Sequence, residues 1–141
     1  MAANTTHIWP LTPICTPARI VNADGTTKKT VYTPGTDGGT LRGIEVTSTD
    51  TAARLVQVFL TVGGTDYLVT TVSIPALSGN DGSTVAVNLL GAPSASTTPY
   101  IPALSEDWSW FLPSTAVVKV ATTTTVTSGK QLDFSPRADN Y

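Results

Sequence analysis

Residues 53–75 read Ala53-Arg54-Leu55-Val56-Gln57-Val58-Phe59-Leu60-Thr61-Val62-Gly63-Gly64-Thr65-Asp66-Tyr67-Leu68-Val69-Thr70-Thr71-Val72-Ser73-Ile74-Pro75. Val56, Val58, Leu60 and Val62 share one face of a period of two, and Leu55, Gln57, Phe59 and Thr61 share the other. Apolar residues on both faces predict a strand that is partly covered on each side. Gly63-Gly64-Thr65-Asp66 supplies a tight connection, and Pro75 stops the second run. The stretch is a β-hairpin with strands over 53–62 and 67–74.

The same reading extends outward. In 40–47, Ile44 and Val46 alternate with Glu45 and Thr47, as in a half-buried strand. Upstream, strands over 18–22 and 29–33 flank a turn at Asn22-Ala23-Asp24-Gly25, and Pro34-Gly35-Thr36-Asp37-Gly38-Gly39 forms a loop. Downstream, Ser78-Gly79-Asn80-Asp81-Gly82-Ser83 is a polar turn before a strand over 84–90, with Val85, Val87 and Leu89 inward. Residues 91–102 are a connection of Ser, Thr, Pro and Ala. Strands over 108–112 and 116–122 bracket Pro113-Ser114 as a second hairpin, and 131–134 is a short last strand. Eight or nine short strands at regular spacing, with no helical insertion, predict an all-β chain. The architecture expected is a two-sheet antiparallel sandwich of the jelly-roll type with extended N- and C-terminal arms, favoured over a closed barrel. The organisation expected is an arm over 1–16, a single sandwich domain over 17–134 and a second arm over 135–141. No fixed-period repeat points to a solenoid or propeller.

Composition agrees. Of 141 residues, 40% are hydrophobic, 13% charged and 26 are Thr, while 10 Pro and 11 Gly interrupt any long helical period. A chain this long can bury roughly 70% of its unfolded surface, enough for one core. Eight Lys+Arg against ten Asp+Glu give a net charge of −2 without blocks of either sign. That argues against a polyanion binder, so no nucleic-acid partner is expected. No run approaches the ~18 apolar residues of a membrane span, and the N-terminus lacks a basic-then-apolar signal pattern. The expectation is a soluble protein with no membrane partner.

Residues capable of chemistry are few and scattered. His7 sits in the Pro-rich arm, where nothing holds it rigid. Cys15 cannot form an intrachain disulfide, has no base nearby in sequence, and reads as a small apolar residue. Glu106-Asp107 on a strand would point to opposite faces, and in a loop could approach a cation. Asp24-Gly25, Asp37-Gly38 and Asn80-Asp81-Gly82 lack the spaced acids of a calcium loop and read as turns. No catalytic residue, metal site or cofactor is expected, and no enzyme.

Two apolar groups stand out instead. Pro10, Pro13 and Pro17 deny the arm regular ladder bonding, yet Ile8, Trp9, Leu11 and Ile14 are too apolar for a free tail. They lie on the chain's own domain or on a neighbour. Tyr100-Ile101-Pro102 and Trp108-Ser109-Trp110-Phe111 form an aromatic cluster with two Trp on one strand face. Giving Phe111 to the core leaves Trp108 and Trp110 to a core or a subunit interface, with a carbohydrate platform as the other use. Ile8, Trp9, Leu11, Ile14, Tyr100, Ile101, Trp108 and Trp110 are the interface candidates.

The segments Thr30-Val31-Tyr32-Thr33-Pro34-Gly35, Gly43-Ile44-Glu45-Val46-Thr47-Ser48-Thr49-Asp50, Val56-Gln57-Val58-Phe59-Leu60, Thr65-Asp66-Tyr67-Leu68-Val69 and Val72-Ser73-Ile74-Pro75 carry a resemblance. Over roughly residues 28–134 the chain resembles the small jelly-roll decoration (cement) proteins of tailed-bacteriophage capsids, a likeness of pattern with no catalytic signature. The resemblance implies a virion protein, made in the host cytoplasm and placed on the capsid exterior. Its implied partner is the major capsid protein, whose subunit contacts it stabilises, and it implies a homo-oligomer (dimer) on that surface. The alternative is a carbohydrate- or receptor-binding module of a phage tail fibre or head spike, supported by the Trp pair and the Thr-rich faces. A tail-tube or head-completion subunit is a third possibility.

Overall fold

The computed structural model describes residues 12–91 and 109–141. Its strands are β1 (Thr12–Ile14), β2 (Ala18–Val21), β3 (Lys29–Tyr32), β4 (Gly39–Ser48), β5 (Arg54–Val62), β6 (Thr65–Ile74), β7 (Val87–Asn88), β8 (Trp110–Leu112), β9 (Ala116–Thr122) and β10 (Gln131–Asn140). A single 3-10 turn, Asn22–Asp24, is the one helical element among the described residues. The chain is an all-β, two-sheet antiparallel sandwich.

In the first sheet β10 and β4 lie side by side. β1 and β2 run end to end along the far side of β10, and β7 and β8 run end to end along the far side of β4. The second sheet has the order β3-β9-β5-β6. The pairings are nested: β5 with β6, β4 with β7, β3 with β9 and β2 with β10. Alternate residues meet between the sheets. Ile20, Leu41, Ile44, Val46, Leu132 and Phe134 from one side pack with Val56, Val58, Ile74, Val118 and Val120 from the other, all at most 1% exposed. Each such burial contributes about 1.5–3 kcal/mol relative to exposure.

The hairpin read from residues 53–75 is present. Gly63 and Gly64 take φ of 59° and 81°, and Val62 lies opposite Thr65. β6 carries one extra residue, Val69: Val58 faces Thr70 while Phe59 faces Leu68. Both faces of β5 are partly covered, as expected: on the outer one Phe59 and Thr61 are 9% and 8% exposed while Leu55 is 48% exposed.

Four sequence expectations need correction. Residues 135–141 are not an arm, because β10 continues to Asn140 and Leu132, Phe134, Pro136 and Ala138 keep the inward alternation. Pro136 is tolerated because β2 ends opposite Phe134 and β1 begins opposite Ala138, so β10 has a strand on only one side there. The strand over 84–90 shrinks to Val87–Asn88, and Val85 is 80% exposed rather than inward. The Asp81 carboxylate accepts from the amides of Ser83 and Thr84 and from the Thr84 hydroxyl, which fixes a turn where a strand was expected. β8 and β9 are not a hairpin: β8 pairs with β4 in one sheet and β9 with β5 in the other, so Pro113-Ser114 bridges the sheets. Phe111 is 71% exposed, and its neighbours Trp110 and Leu112 turn toward the core instead. Of the N-terminal arm, Thr12–Ile14 forms a strand on β10.

Candidate binding surface

The sequence candidates Ile8, Trp9, Leu11, Tyr100, Ile101 and Trp108 lie outside the described residues, as do His7 and Glu106-Asp107. The other two, Ile14 and Trp110, fall in one row of the first sheet. Ile14 faces Ala138, Ala138 faces Leu41, and Leu41 faces Trp110. The row ends on opposite edges of the sheet, and both residues are half-buried against the core. They close the rim of the sandwich. Cys15, which follows the last residue of β1, is exposed.

Most of the described carboxylates are engaged within the chain. Asp50, fully buried, follows β4, and its two oxygens accept from Arg54 Nε (2.7 Å), the Ala52 amide (3.1 Å), the Thr127 amide (3.0 Å) and the Thr127 hydroxyl (2.8 Å). Burial pushes this carboxyl up, but the Arg54 guanidinium and the Thr127 and Ala52 donors outweigh it and hold it well below the usual carboxylate range. The cluster joins the end of β4, the start of β5 and the loop before β10. A second seam joins the sheets at the other end: Tyr32 of β3 donates to Asn140 Oδ1 (2.7 Å) and to the Asp139 carbonyl (3.1 Å). Burial, with Asp139 and Tyr141 nearby, pushes the Tyr32 hydroxyl up to about 12. Gly39 lies against this hydroxyl so closely that any side chain there would collide with it. Among the described residues no three His, Cys, Asp or Glu side chains come together to hold a metal ion, and no helix is long and apolar enough to cross a membrane.

The two outer faces differ. On the first sheet, Arg19 pairs with Asp133 at 2.5 Å and Arg42 with Asp139 at 2.7 Å, while Glu45 and Arg137 are exposed. Three cations and three anions cover that face. On the second sheet the charges gather on one carboxylate. Lys28 Nζ lies 2.8 Å and Lys119 Nζ 3.2 Å from Asp66, which also accepts from the Thr61 hydroxyl. Hydrogen bonds from Lys28, Thr61 and Lys119 hold the Asp66 carboxyl well below the usual range. Lys28 also sits 4.2 Å from the centre of the Phe59 ring. Around this cluster the face is uncharged: Leu55 (48% exposed), Gln57, Thr71, Ser73, Val117 and Leu68 (54% exposed). Sequence reasoning did not single out this face, although Leu55, Phe59 and the hydroxyls on the outward register of β5 and β6 were its signal. Side chains of this kind suit a dry contact with another protein better than a metal, a phosphate or a reacting substrate.

The chain matches no protein-family model and no curated protein sequence.

Proposed function

We propose that this protein is a structural virion subunit that binds the outer surface of a tailed-phage capsid and stabilises contacts between major capsid subunits. The nested pairing of the strands is read here as a jelly roll, which agrees with the resemblance of residues 28–134 to capsid decoration proteins. The observation that carries the reading is the contrast between the outer faces, one closed by ion pairs and one left as an apolar and hydroxyl surface. The outer face of β3-β9-β5-β6, with its charges gathered on Asp66, is the side assigned to the shell. The protein acts there as a dimer and carries out no catalytic step. A subunit that binds only the assembled lattice stabilises it by mass action, and many copies multiply a modest contact.

The test is co-sedimentation with expanded, undecorated shells, quantified as copies bound per major capsid subunit. Saturation at a fixed ratio with a raised shell melting temperature is expected. Leu55→Glu, which places a charge on the assigned face, is expected to weaken binding by about tenfold or more, while Glu45→Lys on the opposite face leaves it unchanged. Absence of binding by the folded wild-type protein overturns the reading and moves attention to glycans and host cells.

A further inference from the structure

The strands that end the sheets are unequal. β1, β2, β7 and β8 have two to four residues each, and β3 has four, opening on Lys28-Lys29. Short, charged or proline-containing edges resist pairing with another chain. β6 is the exception, with ten residues, Thr65–Ile74, that contain no Lys, Arg, Pro or Gly. Among the described residues no strand lies beyond it. Its single charge, Asp66, is already engaged by Lys28 and Lys119.

The hairpin geometry tells which backbone groups of β6 face away from β5. Gly63 and Gly64 both have positive φ, so the two-residue turn makes Val62 and Thr65 a hydrogen-bonded pair. Bonded and non-bonded pairs then alternate: Asp66 and Leu68 sit at non-bonded positions and aim their N–H and C=O groups outward. The extra residue Val69 shifts the phase by one, which places Thr71 and Ser73 at the outward positions beyond it. The outward set is Asp66, Leu68, Thr71 and Ser73.

We propose that two copies of this chain associate through β6, antiparallel about a two-fold axis between Val69 and Thr70. This register sets Asp66 opposite Ser73 and Leu68 opposite Thr71 of the second copy, and the reverse. It alone uses all four outward positions as mutual hydrogen-bonded pairs. It also keeps like faces together, because these four side chains all lie on the outer face of the sheet. No like charges meet, since each Asp66 faces a serine. The result is a continuous eight-stranded sheet with the outer faces of both copies side by side. An unbulged strand would bring same-face residues opposite one another only at an even sum of residue numbers; here the sum is odd, 139, because of Val69. The inference deepens the dimer in the preceding reading and is measured without shells, so either can fail alone.

The experiment is sedimentation equilibrium of the full chain at micromolar concentration. A mass twice the 14.7 kDa of the monomer is expected. Ser73→Pro removes an outward N–H while leaving the β5 ladder intact, and is expected to weaken the dimer at least about tenfold at unchanged melting temperature. Independently, Leu68→Cys with Thr71→Cys in a Cys15→Ser background is expected to form a covalent dimer on oxidation, because Cα atoms of a bonded antiparallel pair stand about 5.5 Å apart. A monomeric wild-type protein overturns the proposal. So does a dimer that survives Ser73→Pro and yields no cross-link in the double cysteine variant.

Discussion

The outer face of β2-β10-β4-β7 spreads its charges and pairs them across strands, as Arg19 with Asp133 and Arg42 with Asp139. The face of β3-β9-β5-β6 draws Lys28 and Lys119 onto Asp66 and leaves Leu55, Leu68 and a field of hydroxyls uncharged. Both faces are built on the same alternating strands over the same core, so the difference lies in the outward side chains alone. An ion-paired face is at ease in water, where each pair adds little. A face whose two cations share one carboxylate keeps a single net positive charge, drawn into one cluster and away from the leucines and hydroxyls around it. The seams between the sheets follow a third rule: each centres on one buried polar group, Asp50 or Tyr32, whose hydrogen bonds are made within the chain.

If seams and faces differ in this way, removing a seam group should cost far more than removing a face group. Asp50→Ala strands Arg54 and the Thr127 donors without their acceptor, and is expected to lower stability by roughly 3–5 kcal/mol in urea denaturation. The same seam predicts the acid limb. Its folded carboxyl titrates below the unfolded one, so its contribution is complete above the unfolded value near 4 and fades as pH falls toward the folded value. Stability of the wild type should therefore drop below about pH 4, and that of Asp50→Asn should start lower and drop less. The second seam is tested by Gly39→Ala, whose methyl group meets the Tyr32 hydroxyl and the Asp139 carbonyl. A loss of about 1–3 kcal/mol is expected, read as a lower melting temperature. The smallest effect belongs to the paired face: Arg42→Ala should change stability by about 0.2–1 kcal/mol, less at high salt. A face substitution that matched Asp50→Ala would erase the distinction.

The hairpin over 53–75 was legible because two glycines and a strict period of two leave little choice. The inward alternation Leu132, Phe134, Pro136, Ala138 was equally present in the sequence. A proline normally ends a central strand, and only the gap between β1 and β2, a tertiary fact, makes Pro136 acceptable. The turn at Pro113-Ser114 was visible, but a turn does not say whether the next strand stays in its sheet. Trp110 and Phe111 were separated onto opposite faces correctly and assigned to them the wrong way round, since alternation fixes parity without fixing which side holds the core. Asp50 looked like one more polar residue in Ser48-Thr49-Asp50-Thr51, and its role depends on Thr127, 77 positions away. The outer face of the second sheet needed the strand order before Val117 and Lys119 of β9 could be set beside Thr61 and Phe59 of β5.

The place of β10 has a consequence for synthesis. Residues 131–140 lie between β4 on one side and β1 and β2 on the other, and supply Leu132 and Phe134 to the core. A nascent chain that has emerged only through β9 has all four strands of the second sheet, but β2 and β4 have nothing between them. At about 5–20 residues per second the half-built sandwich waits with open strand edges until its last strand clears the ribosome. Chaperone demand should thus concentrate in that interval, and truncation before Gln131 should yield aggregate rather than a smaller folded protein.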